Sequence, residues 1–222
     1  MENLSNSIAN KVAAELNMDN DKKEVIAYGA FALLQTFFSI LLVSIFGFIF
    51  HVAIEALIVL FTASILRKYS GGAHASSPGN CTSIGVIICI GQALLISFIV
   101  NVWLNFKIAL TLELMALVWS YYMIYKLAPV DNPSKRIKSE EKRKRMKKGS
   151  FIILSIYFII VIFIMILYFN IKKTALLVYA LCIIGGIVWQ VFTLTKSGHL
   201  TLAKIDIFLK YLLNIKKEVK IK

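Results

Sequence analysis

Long apolar runs separated by short polar segments dominate the chain. It is almost continuously apolar from Val25 to Leu66, and further apolar runs cover about 82–101, 108–127, 151–169 and 174–194. A helix needs roughly 20 apolar residues to cross a bilayer, and hydrocarbon offers no partner to a backbone N–H or C=O. Runs of this length without strand alternation therefore predict spanning helices. The stretch 25–66 is too long for one span, and a division near Gly47 to His51 gives spans at 25–47 and 50–66, so about six in all. Ahead of them, Leu4, Ile8, Val12 and Leu16 stand four apart with Ser5, Asn10, Lys11 and Glu15 elsewhere around the turn. This predicts an amphipathic helix over 4–18 lying at the membrane interface. Residues 195–222 form a basic tail with apolar residues at irregular helical spacing, also read as interfacial. The expected fold is an all-α integral membrane protein, a single domain over 1–222.

Composition agrees. Of 222 residues, 59% are apolar and only 17% charged, with a mean hydropathy of +0.76, too apolar for a soluble domain of this size. The net charge of +13 is no nucleic-acid signal, because the positive residues gather in the connections between apolar runs. Counted by loop, with the amino terminus inside, 22 Lys and Arg fall on the cytoplasmic side, and only Lys107, Lys172 and Lys173 fall outside. That excess predicts six spans with both termini in the cytoplasm. The first 24 residues carry Glu2, Glu15, Asp19, Asp21 and Glu24 and lack a short apolar core before a cleavage site, so no secretory signal is expected. Cys81, Cys89 and Cys182 have neither paired spacing nor an extracellular setting, so neither a disulfide framework nor a zinc site is expected.

The segment from Arg67 to Cys81, RKYSGGAHASSPGNC, carries the candidate chemistry and faces the cytoplasm in this topology. Small, polar and turn-forming residues lie where the chain meets or enters the membrane, so the segment must be buried in protein or line a wet cavity, a re-entrant form included. His74 and Cys81 are seven residues apart, about 10 Å along a straight helix and too far for a hydrogen bond, so the chain has to fold back. Ser76, Ser77, Pro78 and Gly79 permit that turn, Pro78 and Gly79 ending the preceding helix, and Asn80 is expected to cap a new helix that Cys81 opens. A thiol at a helix amino terminus beside an imidazolium is favoured as thiolate, which makes a nucleophile. Against this stands a reading in which Cys81 is a small apolar residue at a helix end and His74 an ordinary loop histidine; residues alone balance the two about evenly.

These residues resemble the AgrB accessory-gene-regulator peptidases of bacterial quorum-sensing systems. The family's pattern is an arginine, three residues, a Gly-Gly pair, one residue, a histidine and a cysteine seven further on. It is matched by Arg67, Gly71, Gly72, His74 and Cys81, with a weaker similarity at Ala128-Pro129. The motif covers 15 residues, while size, span count and motif placement agree over nearly the whole chain. The resemblance implies a cysteine endopeptidase of the bacterial cell membrane acting on a short AgrD-like precursor peptide. Cys81 attacks a peptide carbonyl, and His74 serves as base and then as acid toward the leaving amine. The acyl group then passes to a Cys or Ser of the same peptide, closing a thiolactone or lactone ring. No cofactor or metal is implied, and homodimerisation is.

Other residues carry weaker signals. Arg67 can bind an acidic part of the peptide or anchor span two. Gly71 and Gly72 can admit close approach of a substrate backbone or serve a turn, the turn being favoured. Gln35, polar within span one, can support the imidazole or an oxyanion, although an interhelical hydrogen bond is the commoner role. Glu55 is an ionisable residue within span two, Asp131 reads as a loop carboxylate, and Cys89 and Cys182 read as packing. A transporter or scaffold that binds peptide without cutting it is the competing class, but no internal repeat supports it. A metalloenzyme lacks a ligand cluster, because His51, His74 and His199 are scattered.

Overall fold

The computed structural model describes residues 2–16, 18–73, 75–102, 105–131 and 139–219. These form eight helices: α1 (Glu2–Glu15), α2 (Asn20–Ile49), α3 (Ala53–Ser70), α4 (Pro78–Val102), α5 (Phe106–Leu127), α6 (Glu140–Ile171), α7 (Thr174–Phe192) and α8 (Lys196–Val219). No strand occurs among the described residues, and the chain is an all-α membrane protein. It divides into two compact units, residues 1–42 and 43–222.

In the first unit α1 buries its small residues, Ser5, Ala9 and Ala13, and leaves Leu4, Ile8 and Leu16 exposed. Both sets repeat every four residues, so the helix carries a small-residue stripe beside the large apolar one. The large stripe is free to meet the headgroup region. α2 starts behind Asp19, whose side chain accepts from the Lys22 N–H at 3.0 Å, and runs on into the second unit.

The second unit is built around α7, which contacts α3, α4, α5 and α6. Of its apolar stretch 56% is buried, against 33% or less for α4, α5 and α6, so α7 is the centre and the others present apolar flanks to lipid. α3 and α7 approach closely at Gly186, where an added Cβ would stand 2.9 Å from the Val59 carbonyl oxygen, the small-residue contact on which helices associate in lipid. Two polar contacts join neighbours: the Tyr157 hydroxyl donates to the Thr62 carbonyl at 3.3 Å, and the Tyr121 hydroxyl meets Ser155 Oγ at 2.8 Å. Ile159, Phe163 and Phe169 of α6 lie exposed, as lipid-facing side chains should.

Two differences from the sequence pattern stand out. Among the described residues five helices, α2, α4, α5, α6 and α7, are long and apolar enough to cross a membrane, one fewer than the six expected. The difference is α3, whose 18 residues include Glu55, Arg67 and Lys68. At 1.5 Å per residue it is about 27 Å long, but only its middle is free of charge. The second difference is that part of the basic connection over 128–149 is helical: α6 begins at Glu140, with Ser139 Oγ accepting from Lys142 N–H at 3.4 Å and Glu140 and Glu141 in the first turn. Acidic residues there complement the helix dipole, so the lysines and arginines that follow ride on a capped helix.

Candidate functional site

The site forms where α3 ends. Ser70 is fully buried, and Gly71 leaves the helix with φ 71° and ψ −149°, a backbone region essentially reserved for glycine. The turn brings Gly71 alongside Val130 in a parallel bridge, and the Val130 N–H donates to the Ser70 carbonyl at 2.9 Å. A Cβ on Gly71 would lie 2.1 Å from the Val130 carbonyl oxygen. The preceding Ala128–Pro129 bond is cis. Gly72, with φ 131°, faces the other wall, where a Cβ would stand 2.6 Å from Thr193 Oγ1. Both glycines thus sit where the loop backbone touches other parts of its own chain.

Three groups hold this loop. Gln190 of α7, 1% exposed, donates through Nε2 to Ser70 Oγ at 3.0 Å and to the Gly71 carbonyl at 2.7 Å. The Ala73 N–H donates to the Thr193 carbonyl at 3.1 Å. Arg67, from the last turn of α3, donates through its guanidinium to the Ala73 carbonyl, and its charge interacts with Cys81. A buried carbonyl without a partner is costly, and this arrangement supplies partners to the Gly71 and Ala73 carbonyls.

Beyond the loop the cap differs from the one expected. α4 begins at Pro78, and Ser77 caps it, its Oγ accepting from the Asn80 N–H at 3.2 Å while its carbonyl accepts from the Cys81 N–H at 3.0 Å. Pro78 and Gly79 therefore open a helix rather than end one, as proline at the first helical position does at no cost in hydrogen bonds. Asn80 is freed for another contact: its Nδ2 donates to Asp206 Oδ1 of α8 at 2.7 Å. Cys81 lies in the first turns of α4 as a half-buried free thiol, whereas Cys89 and Cys182 are buried within α4 and α7.

Arg67, Gly71, Gly72 and Cys81 are thus gathered at one end of the second unit. His74 lies outside the described residues; its neighbours Ala73 and Ala75 belong to an apolar cluster with Ile84 and Leu202. Gln35 is half-buried on α2 in the first unit, its carbonyl accepting from Ser39 Oγ at 2.9 Å. Asp131 pairs with Arg143 at 2.7 Å. Among the described residues no group of three metal-ligating side chains occurs. Sequence reasoning missed Gln190, Thr193 and Asp206. The signals were present: Gln190 is a long polar side chain inside an apolar run, and Asp206 is the one carboxylate between Glu141 and Glu218.

The family model of accessory gene regulator B, AgrB, matches residues 5–194. An AgrB-like protein of Clostridium perfringens (strain SM101 / Type A) is 49% identical over 215 residues, 96% of this chain and 100% of that relative. AgrB-like protein 2 of Clostridium perfringens (strain 13 / Type A) is 48% identical over the same shares. No solved structure matches. With a family match across most of its length and near-full-length relatives at almost half identity, the chain belongs to the accessory gene regulator B family.

Proposed function

We propose that the protein is a membrane cysteine endopeptidase that cuts a short AgrD-like precursor peptide, with Cys81 as nucleophile and His74 as its base. The observation that carries this reading is the setting of Cys81. It is the free thiol among the three that is not buried, and it lies at the amino-terminal end of α4. The amino-terminal end of a helix and partial exposure are the surroundings in which reactive rather than merely packed cysteines are found. A thiol that only packs needs none of this.

In the reaction, Cys81 Sγ attacks the scissile carbonyl carbon, and the carbon–nitrogen bond breaks as His74 passes its proton to the leaving amine. The products are an acyl thioester on Cys81 and a free carboxy-terminal fragment. A Cys or Ser side chain of the same peptide then gives its proton to His74 and attacks the acyl carbon, closing a thiolactone or lactone and releasing the Cys81 thiolate beside the protonated imidazole. Exchange of one thioester for another is nearly balanced, so ring closure over hydrolysis depends on positioning and on excluding water. Arg67 holds the loop through Ala73 in this scheme, and Gly71 and Gly72 let it pack against 128–131 and 190–194. Six spans with both termini and the site on the cytoplasmic side, contact with lipid, and homodimerisation complete the proposal.

Mass spectrometry of the purified protein in a membrane mimetic with a candidate precursor tests it. A mass gain on Cys81 with a released carboxy-terminal fragment, both lost in Cys81→Ala, supports the reading. Fragment without adduct in His74→Ala, or peptide binding with neither product in the wild type, overturns it, the latter in favour of a transporter or scaffold.

A further inference from the structure

The helix α8 begins after residue 194, where the family match ends, yet it reaches the candidate site. Its inward face carries Leu202, Ile205, Asp206 and Leu209; Leu202 forms a buried cluster with Ala73 and Ile84, against which Ala75, Ile205 and Leu209 pack. Asp206 is 6% exposed, and a carboxylate buried to that degree needs partners. It has two. Asn80 Nδ2 donates to Oδ1 at 2.7 Å, and Lys210 Nζ lies 3.4 Å from Oδ2. Asn80 is itself buried, at 8% exposure. Asn80 closes the Ser77-Pro78-Gly79 turn, and Cys81 follows it directly.

We propose that Asp206 is a positioning residue for the nucleophile: its carboxylate clamps Asn80, at the end of the 77–80 turn, to α8 and thereby fixes where Cys81 points. The inference rests on the reading of Cys81 as nucleophile. The side chain of Asp206 acts through Asn80 and not on substrate. Nearby donors, the Ser76 hydroxyl first and then Asn80 and Lys210, hold its carboxyl below the usual carboxylate range against the opposing effect of burial, so the clamp is ionised at neutral pH. Charge-assisted bonds of this kind are about twice as strong as neutral ones. Since misplacement of a reacting group by about 1 Å can cost a hundredfold in rate, a clamp one residue from the thiol acts on turnover more than on binding.

The test uses full-length protein in nanodiscs and three readouts: single-turnover cleavage of the precursor peptide, peptide affinity, and the rate of site-resolved iodoacetamide labelling at Cys81. Asp206→Ala is expected to slow cleavage about tenfold to a hundredfold with affinity changed by no more than about threefold. Asp206→Asn keeps an acceptor for Asn80 and is expected to recover most of that loss. Asn80→Ala combined with Asp206→Ala is expected to be no slower than Asp206→Ala alone, because both remove one contact. The exchange of partners, Asn80→Asp with Asp206→Asn, restores a donor and an acceptor and is expected to outpace Asn80→Asp alone, which sets two carboxylates face to face. Wild-type cleavage in Asp206→Ala, full additivity with Asn80→Ala, or no gain from the exchange overturns the clamp. Labelling separates the two readings: if Cys81→Ala still cleaves, the nucleophile assignment fails, whereas an unchanged Cys81 labelling rate in Asp206→Ala sinks the clamp whatever the activity.

Discussion

Gln190→Leu removes the amide that holds the loop while keeping side-chain bulk in the centre of the bundle. Gln190 Nε2 donates to both Ser70 Oγ and the Gly71 carbonyl, and Ser70 and Gln190 are buried. Leaving a buried carbonyl without its partner costs about 1–3 kcal/mol, and each ordinary hydrogen bond lost costs about 1 kcal/mol. The Ser70 hydroxyl, which already donates to the Gly71 oxygen at 3.4 Å, can shorten that bond and offset part of the loss. The net penalty is then about 2 kcal/mol, or about a thirtyfold increase in the population of the opened loop. Hydrogen exchange at the Ala73 amide reads this directly, because that N–H is bonded to the Thr193 carbonyl at 3.1 Å and exchanges when the loop lifts from α7. Its protection is expected to fall about thirtyfold in Gln190→Leu, with amides in the middle of α6 unchanged. Protection within about threefold of wild type would refute the account of Gln190 as the group that holds the loop down.

Three further outcomes follow from the same geometry. Gly71→Ala combines a backbone region closed to alanine with a Cβ 2.1 Å from the Val130 oxygen; it is expected to destabilise the protein by about 2–4 kcal/mol, read as a lower melting temperature in detergent, and a melting point equal to wild type would count against the observed approach to Val130. Cys81 is expected to be alkylated at least about tenfold faster than Cys89 or Cys182, since reactivity follows exposure; peptide-resolved mass spectrometry after a short iodoacetamide pulse checks this, and equal rates would contradict the burial of the other two. Asp206 has its carboxyl held below the ordinary value, chiefly by Ser76, so its contribution is fully present above about pH 4 and is lost only as pH falls through the depressed folded value. Protection factors of the amides of Ser77 and residues 79–81, corrected for intrinsic exchange, are therefore expected to match at pH 7.5 and pH 5, and a drop at pH 5 would mean that Asp206 is not held as described.

Much of this protein is legible in its residue pattern. Apolar runs of spanning length fix an all-helical membrane fold, because lipid forces backbone pairing within each segment. The Arg67, Gly71, Gly72, His74 and Cys81 spacing points to the family through local sequence alone. Turn chemistry around Pro78 is also local, but its direction was ambiguous: proline can close one helix or open the next, and only the Ser77 cap decides for opening. What the sequence could not reveal are contacts between residues far apart in the chain. Gln190 reaches Ser70 across 120 positions, and Asp206 reaches Asn80 across 126. Periodicity reports which face of a helix is apolar; it does not report which loop a single polar side chain on that face will meet. That is settled when α7 takes the centre of the bundle and α8 folds back over the start of α4, so the candidate residues were written in one short segment while the contacts that hold them came from the tertiary fold.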